Sequence, residues 1–124
     1  FIKRFKNHLN ICKKSVIHCF TGNKATLDRY LSMGFSIGIT GWICDERRAK
    51  ELRDAVHIIP LDRVLVETDA PYLTPKNVLG LNRMNVPQNI KYVVRDLAKY
   101  MKVEENVLIE NAKKNTIRVF QIKV

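Results

Sequence analysis

The sequence predicts an α/β fold built on a parallel sheet. Three observations lead to it. Short apolar, β-branched runs at residues 15–20, 35–39 and 63–68 read as buried strands. The segments between them carry apolar residues at helical spacing. Strands that alternate with helices pair in parallel through right-handed crossovers. At 124 residues the chain has the length of one domain.

Each element follows from its residues. Phe1, Ile2, Phe5, Leu9 and Cys12 recur at helical spacing and predict an opening amphipathic helix. The first strand, 15–20, ends at Thr21-Gly22, where the chain turns. Asn23 is suited to cap a helix carrying Leu27, Tyr30 and Leu31, and Gly34 to end it. The second strand, 35–39, runs into Thr40-Gly41-Trp42. Asp45 is a candidate cap for a helix through Glu46, Leu52 and Val56. The third strand, 63–68, leads into a long loop punctuated by Pro71, Pro75, Gly80 and Pro87. Pro87 suits the first turn of a helix through Ile90, Val93, Val94 and Leu97 to Met101, and residues 104–120 form a last helix. A (β/α) barrel needs eight strands and about 250 residues, so this chain would supply about three of its units.

Composition narrows the function. Lys plus Arg is 22 against 12 for Asp plus Glu, a formal net charge of +10. Lys3, Arg4, Lys6, Lys13, Lys14 and Lys24 all precede the first acidic residue, Asp28. Such a surface suits a polyanion, with an affinity that falls as salt rises because bound cations are released from it. Three cysteines with no Cys-x-x-Cys pair argue against a disulfide framework or a cysteine zinc site, and suit a reducing compartment, cytoplasmic or nuclear. No apolar run reaches the length of a membrane span. No GxGxxG, Walker loop or GxSxG is present, so nucleotide-cofactor and serine-hydrolase chemistry lack a motif. The first residue is Phe1 rather than Met, which reads as a cut start.

The polar groups collect at the carboxyl ends of the strands, where parallel α/β folds carry their sites. His18 follows Ser15-Val-Ile, on the face of Val16 and Phe20. Thr40-Gly41 follows Ile39, and Glu67-Thr-Asp69 follows Val64-Leu-Val66. Glu67 and Asp69 share a face if the strand stays extended. A histidine and a carboxylate at neighbouring strand ends can bind a divalent metal. His18 is either such a ligand or a satisfied strand histidine. Asp69 is a site residue or an Asx-turn cap, and Glu67 a partner that orients a ligand or a structural ion pair. Trp42 could stack on a base or pack in the core, and Arg83 and Asn85 in the long loop could hold a phosphate or be solvated.

These residues carry a resemblance. His18-Cys-Phe-Thr-Gly22, the segment from Gly34 to Trp42, Cys44-Asp-Glu-Arg-Arg48 and Glu67-Thr-Asp-Ala-Pro-Tyr-Leu73 with Pro75 resemble, in order and at the family's spacing, the later part of TatD-family metal-dependent deoxyribonucleases. Asn115 to Phe120 is similar to the family's closing helix. The resemblance implies a TIM (β/α)8 barrel of the metal-dependent hydrolase superfamily, with residues 1–124 as the C-terminal portion of one hydrolase domain covering about its last three strands. It implies hydrolysis of DNA phosphodiester bonds, as an exonuclease, with one or two divalent ions (Mg, Mn or Zn). His18 and Asp69 then correspond to metal-binding residues, and Asp69 also to the residue that meets the attacking water. The family's His-x-His strand, bridging Glu and another histidine strand have no counterpart here, and Asn85-Val-Pro87 stands where the family often shows Asn-Glu-Pro. The isolated chain is accordingly expected to have negligible nuclease activity and to self-associate through exposed sheet edges. The rival readings are a non-catalytic basic module that binds nucleic acid and an inert partial barrel.

Overall fold

In the computed structural model, which describes residues 1–124, three parallel strands lie in sequence order: β1 (Val16–Ile17), β2 (Ser36–Ile39) and β3 (Val64–Val66). Val16 pairs with Ser36, and Ile37, Gly38 and Ile39 pair with Val64, Leu65 and Val66. β1 and β3 therefore each leave one side of their backbone without a strand partner in the sheet. The strands are shorter than the apolar runs that foretold them. Cys19 has φ of +50°, which ends β1 at Ile17. That kink also breaks the expected alternation of side chains. Phe20 does not share a face with His18; it is buried, edge-on to Tyr30.

The opening helix is two single turns, α1 (Ile2–Phe5) and α2 (Leu9–Cys12), separated by Lys6-Asn7-His8. Neither has a side-chain cap, and runs this short gain little from helical hydrogen bonds alone. α3 (Lys24–Met33) begins where the Asn23 side chain accepts from the Thr26 amide, and ends at Gly34, whose φ of +102° suits glycine. Asp45 caps a different element from the one expected. Its carboxylate accepts from the Arg47 and Arg48 amides, and α4 (Lys50–Ala55) starts only after that turn. Pro87 opens a 3₁₀ turn that runs into α5 (Ile90–Met101), and α6 (Glu105–Phe120) closes the chain. No helix is long and apolar enough to cross a membrane.

The alternation along β2 and β3 divides the sheet. Ile37, Ile39 and Val64 point to the helix side and are fully buried with Leu27, Leu52, Leu97 and Leu108. Ser36, Gly38 and Leu65 occupy the opposite face. At the amino ends of the strands two side chains tie the layers together. The Arg63 guanidinium donates to the Leu31 and Phe35 carbonyls. The buried Asn115 amide donates to the Leu61 and Val64 carbonyls, each at 2.8 Å, fastening α6 to the start of β3. Arg118 donates to the Asn115 side-chain oxygen and to the Asp62 carbonyl. Asn115→Leu keeps the branched shape but removes the donor to the Leu61 and Val64 carbonyls. It should cost about 1–3 kcal/mol, read as a lower urea midpoint; an unchanged midpoint would show the bonds to be dispensable.

Candidate active site at the carboxyl ends of the strands

Beyond β1, β2 and β3 the chain gathers His18, Glu67 and Asp69 into one cluster. His18 sits between the two carboxylates. Its Nδ1 lies 2.7 Å from Glu67 Oε2 and its Nε2 2.8 Å from Asp69 Oδ1. The His18 side chain is 59% exposed, Asp69 31% and Glu67 17%, so the cluster opens outward from Glu67. Desolvation pulls the imidazole pKa down, but the charges and hydrogen bonds of Glu67 and Asp69 outweigh it and hold the pKa above its ordinary value.

Glu67 is the most constrained member. Its Oε2 accepts from the Cys19 backbone amide at 3.1 Å as well as facing His18 Nδ1. One oxygen thus fixes the imidazole and the left-handed residue beside it. The Glu67 carboxylate lies directly over Gly38, where a Cβ would overlap it. Gly38 is required here for room rather than for its φ. Beside it, Cys19 Sγ and Thr40 Oγ1 are 3.2 Å apart, and the Thr40 hydroxyl accepts from the Trp42 amide.

The other sequence candidates lie next to this cluster. Asp69 leads through Ala70-Pro71 into a turn in which the Tyr72 amide donates to the Asp69 carbonyl at 2.7 Å. Gly41 lets the Leu73 carbonyl pack against β2's exit, since a Cβ at Gly41 would strike it. Trp42 and Arg83 line one groove of about 560 Å³ together with Arg48, Tyr72, Thr74 and Lys76. The Trp42 ring carries the Arg48 guanidinium 4.3 Å from its centroid. Its indole N–H is shielded from solvent without an acceptor. Asn85 is turned into the protein. Its amide donates to the Tyr72 and Leu73 carbonyls, and its oxygen accepts from Val86 and Asn89. It shapes the loop rather than lining the groove.

Sequence reasoning missed Gly38, Arg48, Tyr72 and Lys76. Gly38 had a signal, a glycine between two isoleucines inside a strand, which marks a close approach. Arg48 and Lys76 come from different loops and meet only at Asp45, whose Oδ2 lies 2.7 and 3.3 Å from them. Burial raises the Asp45 carboxyl, but hydrogen bonds from Arg48, the Arg47 and Arg48 amides and Lys76 bring it down to about 2.

The donor chemistry suits a divalent cation in part. An imidazole nitrogen and a carboxylate oxygen, both accessible, converge between His18 and Asp69, and Glu67 on Nδ1 supplies the orienting carboxylate that metal-binding histidines commonly have. No group of three His, Cys, Asp or Glu side chains converges on such a point. The residues present therefore fit part of a coordination shell, short of the three protein ligands usual for catalytic zinc.

Comparison with known proteins places the chain in a family. A family model described as TatD related DNase matches residues 2–121. A 3'-5' ssDNA/RNA exonuclease TatD from Rahnella sp. is 41% identical over 124 residues, which is 98% of this chain and 47% of that protein. The protein of the same description from Erwinia amylovora is 49% identical over 100 residues, 79% of this chain and 39% of its own length. The chain thus spans about half the length of the curated relatives it matches. Among solved structures, YJJV, a TatD homolog from Escherichia coli K12, superposes with a TM-score of 0.85 at 26% identity over 98% of this chain and 46% of its own. A hydrolase TatD family protein from Entamoeba histolytica does so at 0.79 with 21% identity over 94% of this chain and 46% of its own, a likeness of fold. The three parallel strands and their helices are a sector of that barrel fold.

Two outcomes test the site's construction. Gly38→Ala should destabilise the protein by about 1–3 kcal/mol and cost less in a Glu67→Ala background, a non-additivity measurable by paired urea titrations. Equal cost in both backgrounds would separate Gly38 from Glu67. Asp45, depressed in the fold, contributes stability that is present above pH about 4 and lost as pH falls toward 2, on the order of 1–2 kcal/mol after allowance for its exposed partners. The gap between wild type and Asp45→Asn in acid unfolding should close across that window; a constant gap would remove the ion-pair explanation.

Proposed function

Because the chain belongs to the TatD-related DNase family, we propose that it supplies part of the active site of a divalent-metal-dependent nuclease acting on DNA, its residues 1–124 forming the C-terminal portion of one hydrolase domain. The observation that carries this reading is the His18 cluster: an exposed imidazole held between two carboxylates at the ends of neighbouring parallel strands. The exonuclease mode follows from the description of the relatives. In this reading the free edges of β1 and β3 pair with the remaining strands of the barrel; left uncovered, they are templates for self-association.

His18 Nε2 and Asp69 Oδ1 would hold a divalent ion (Mg, Mn or Zn). When bound, such an ion lowers the pKa of coordinated water and offsets charge that develops on phosphoryl oxygens. The chain's own residues do the rest. Glu67 accepts a hydrogen bond from the Nδ1–H of His18, which keeps the ring from rotating and directs Nε2 toward Asp69. The second oxygen of Asp69 accepts a proton from water attacking phosphorus. Arg83 pairs with the phosphate backbone in the groove, and Trp42 forms its wall. Asn85 acts from below by fixing the loop between Tyr72 and Arg83. The net charge of +10 draws the polyanion to this surface.

In the complete barrel, His18→Ala and Asp69→Asn should each lower manganese-dependent hydrolysis of a labelled single strand by roughly a hundredfold or more, with far-ultraviolet circular dichroism unchanged. A chelator should abolish the activity, and added metal restore it. Wild-type turnover by a folded Asp69→Asn protein would overturn the assignment.

A further inference from the structure

We propose that Tyr72 is the stacking platform for an unpaired base of the substrate strand, next to the phosphate that reaches Asp69. The proposal rests on the nuclease reading and adds to it how the strand is gripped. Tyr72 is 74% exposed. It is anchored on both sides: its amide donates to the Asp69 carbonyl at 2.7 Å, and its own carbonyl accepts from buried Asn85 at 2.9 Å. The ring is thus presented from a fixed backbone three residues beyond the carboxylate that meets the water. It belongs to the groove that Arg48, Lys76 and Arg83 also line.

Two aromatic residues share that groove, and they differ. The Trp42 face is already occupied by Arg48 at 4.3 Å. Tyr72 takes part in none of the cation–π pairs and so keeps an open face. An exposed aromatic ring flanked by cations suits a single strand, whose bases are free to stack while its phosphates meet Lys and Arg. Paired bases within a duplex offer no such face. Arg48 and Lys76 are pre-positioned by Asp45, which sets their spacing along the groove.

The test is binding of fluorescein-labelled short oligodeoxythymidine, measured by anisotropy with calcium in place of manganese, beside an abasic oligonucleotide of the same length and charge. Tyr72→Ala should weaken oligodeoxythymidine about tenfold and leave abasic binding unchanged, and Tyr72→Phe should restore the difference. Equal binding by wild type and Tyr72→Ala, or equal weakening toward both ligands, overturns the proposal. A wild-type protein that binds neither ligand overturns both this proposal and the nuclease reading. In the complete barrel, base-dependent binding through Tyr72 without cleavage in manganese removes the nuclease reading and supports the platform.

Discussion

The contact of the Glu67 carboxylate with His18 and the Cys19 amide is what the rest of the site depends on. Cys19 holds a left-handed conformation that an L-residue adopts at a cost, and the Cys19 amide donating to Glu67 offsets it. The same oxygen sets the rotation of the imidazole and through it the direction of Nε2. None of this fits unless the neighbouring strand has no side chain where Glu67 lies, which is the role of Gly38. His18, Cys19, Gly38 and Glu67, drawn from all three strand regions, are therefore bound into a single geometric condition.

The loop after β3 is ordered by a second set of contacts. Asn85 gathers the Tyr72 and Leu73 carbonyls, and the Thr74 hydroxyl donates to the Arg83 carbonyl. Farther along, the Asn77 amide donates to buried Asp96 on α5, which also accepts from Arg95. Desolvation raises the Asp96 carboxyl, but these donors outweigh it and keep the pKa below the usual carboxylate range. Lys76 and Arg83 consequently stand on a loop held by polar bonds at several points. Such a surface presents its charges with little further loss of chain entropy on binding.

At the other end of the strands, Arg63 and Asn115 perform a purely architectural task. They satisfy carbonyls that the short strands leave free, an unmet need that would be costly in a buried position. The division is physical: the amino ends of the strands are closed by amide and guanidinium hydrogen bonds to backbone, while the carboxyl ends expose a histidine between two carboxylates. A barrel sector can vary its chemistry at one end without disturbing the fastening at the other.

The amino-acid sequence by itself determined the alternation of strands and helices, the Asn23 cap and Gly34 stop of α3, and the placement of His18, Glu67 and Asp69 at strand ends. These are local or periodic properties, and the strand and helix periods are distinct enough to read. It misjudged the opening helix, the reach of β1 and the element that Asp45 caps, because short segments take their conformation from what they pack against. Only the tertiary structure decided that Asn85 faces inward, that Asp45 joins Arg48 to Lys76, and that Trp42 is covered while Tyr72 is open. Those facts depend on side chains distant in sequence meeting at a particular distance, and no spacing along the chain encodes such a meeting.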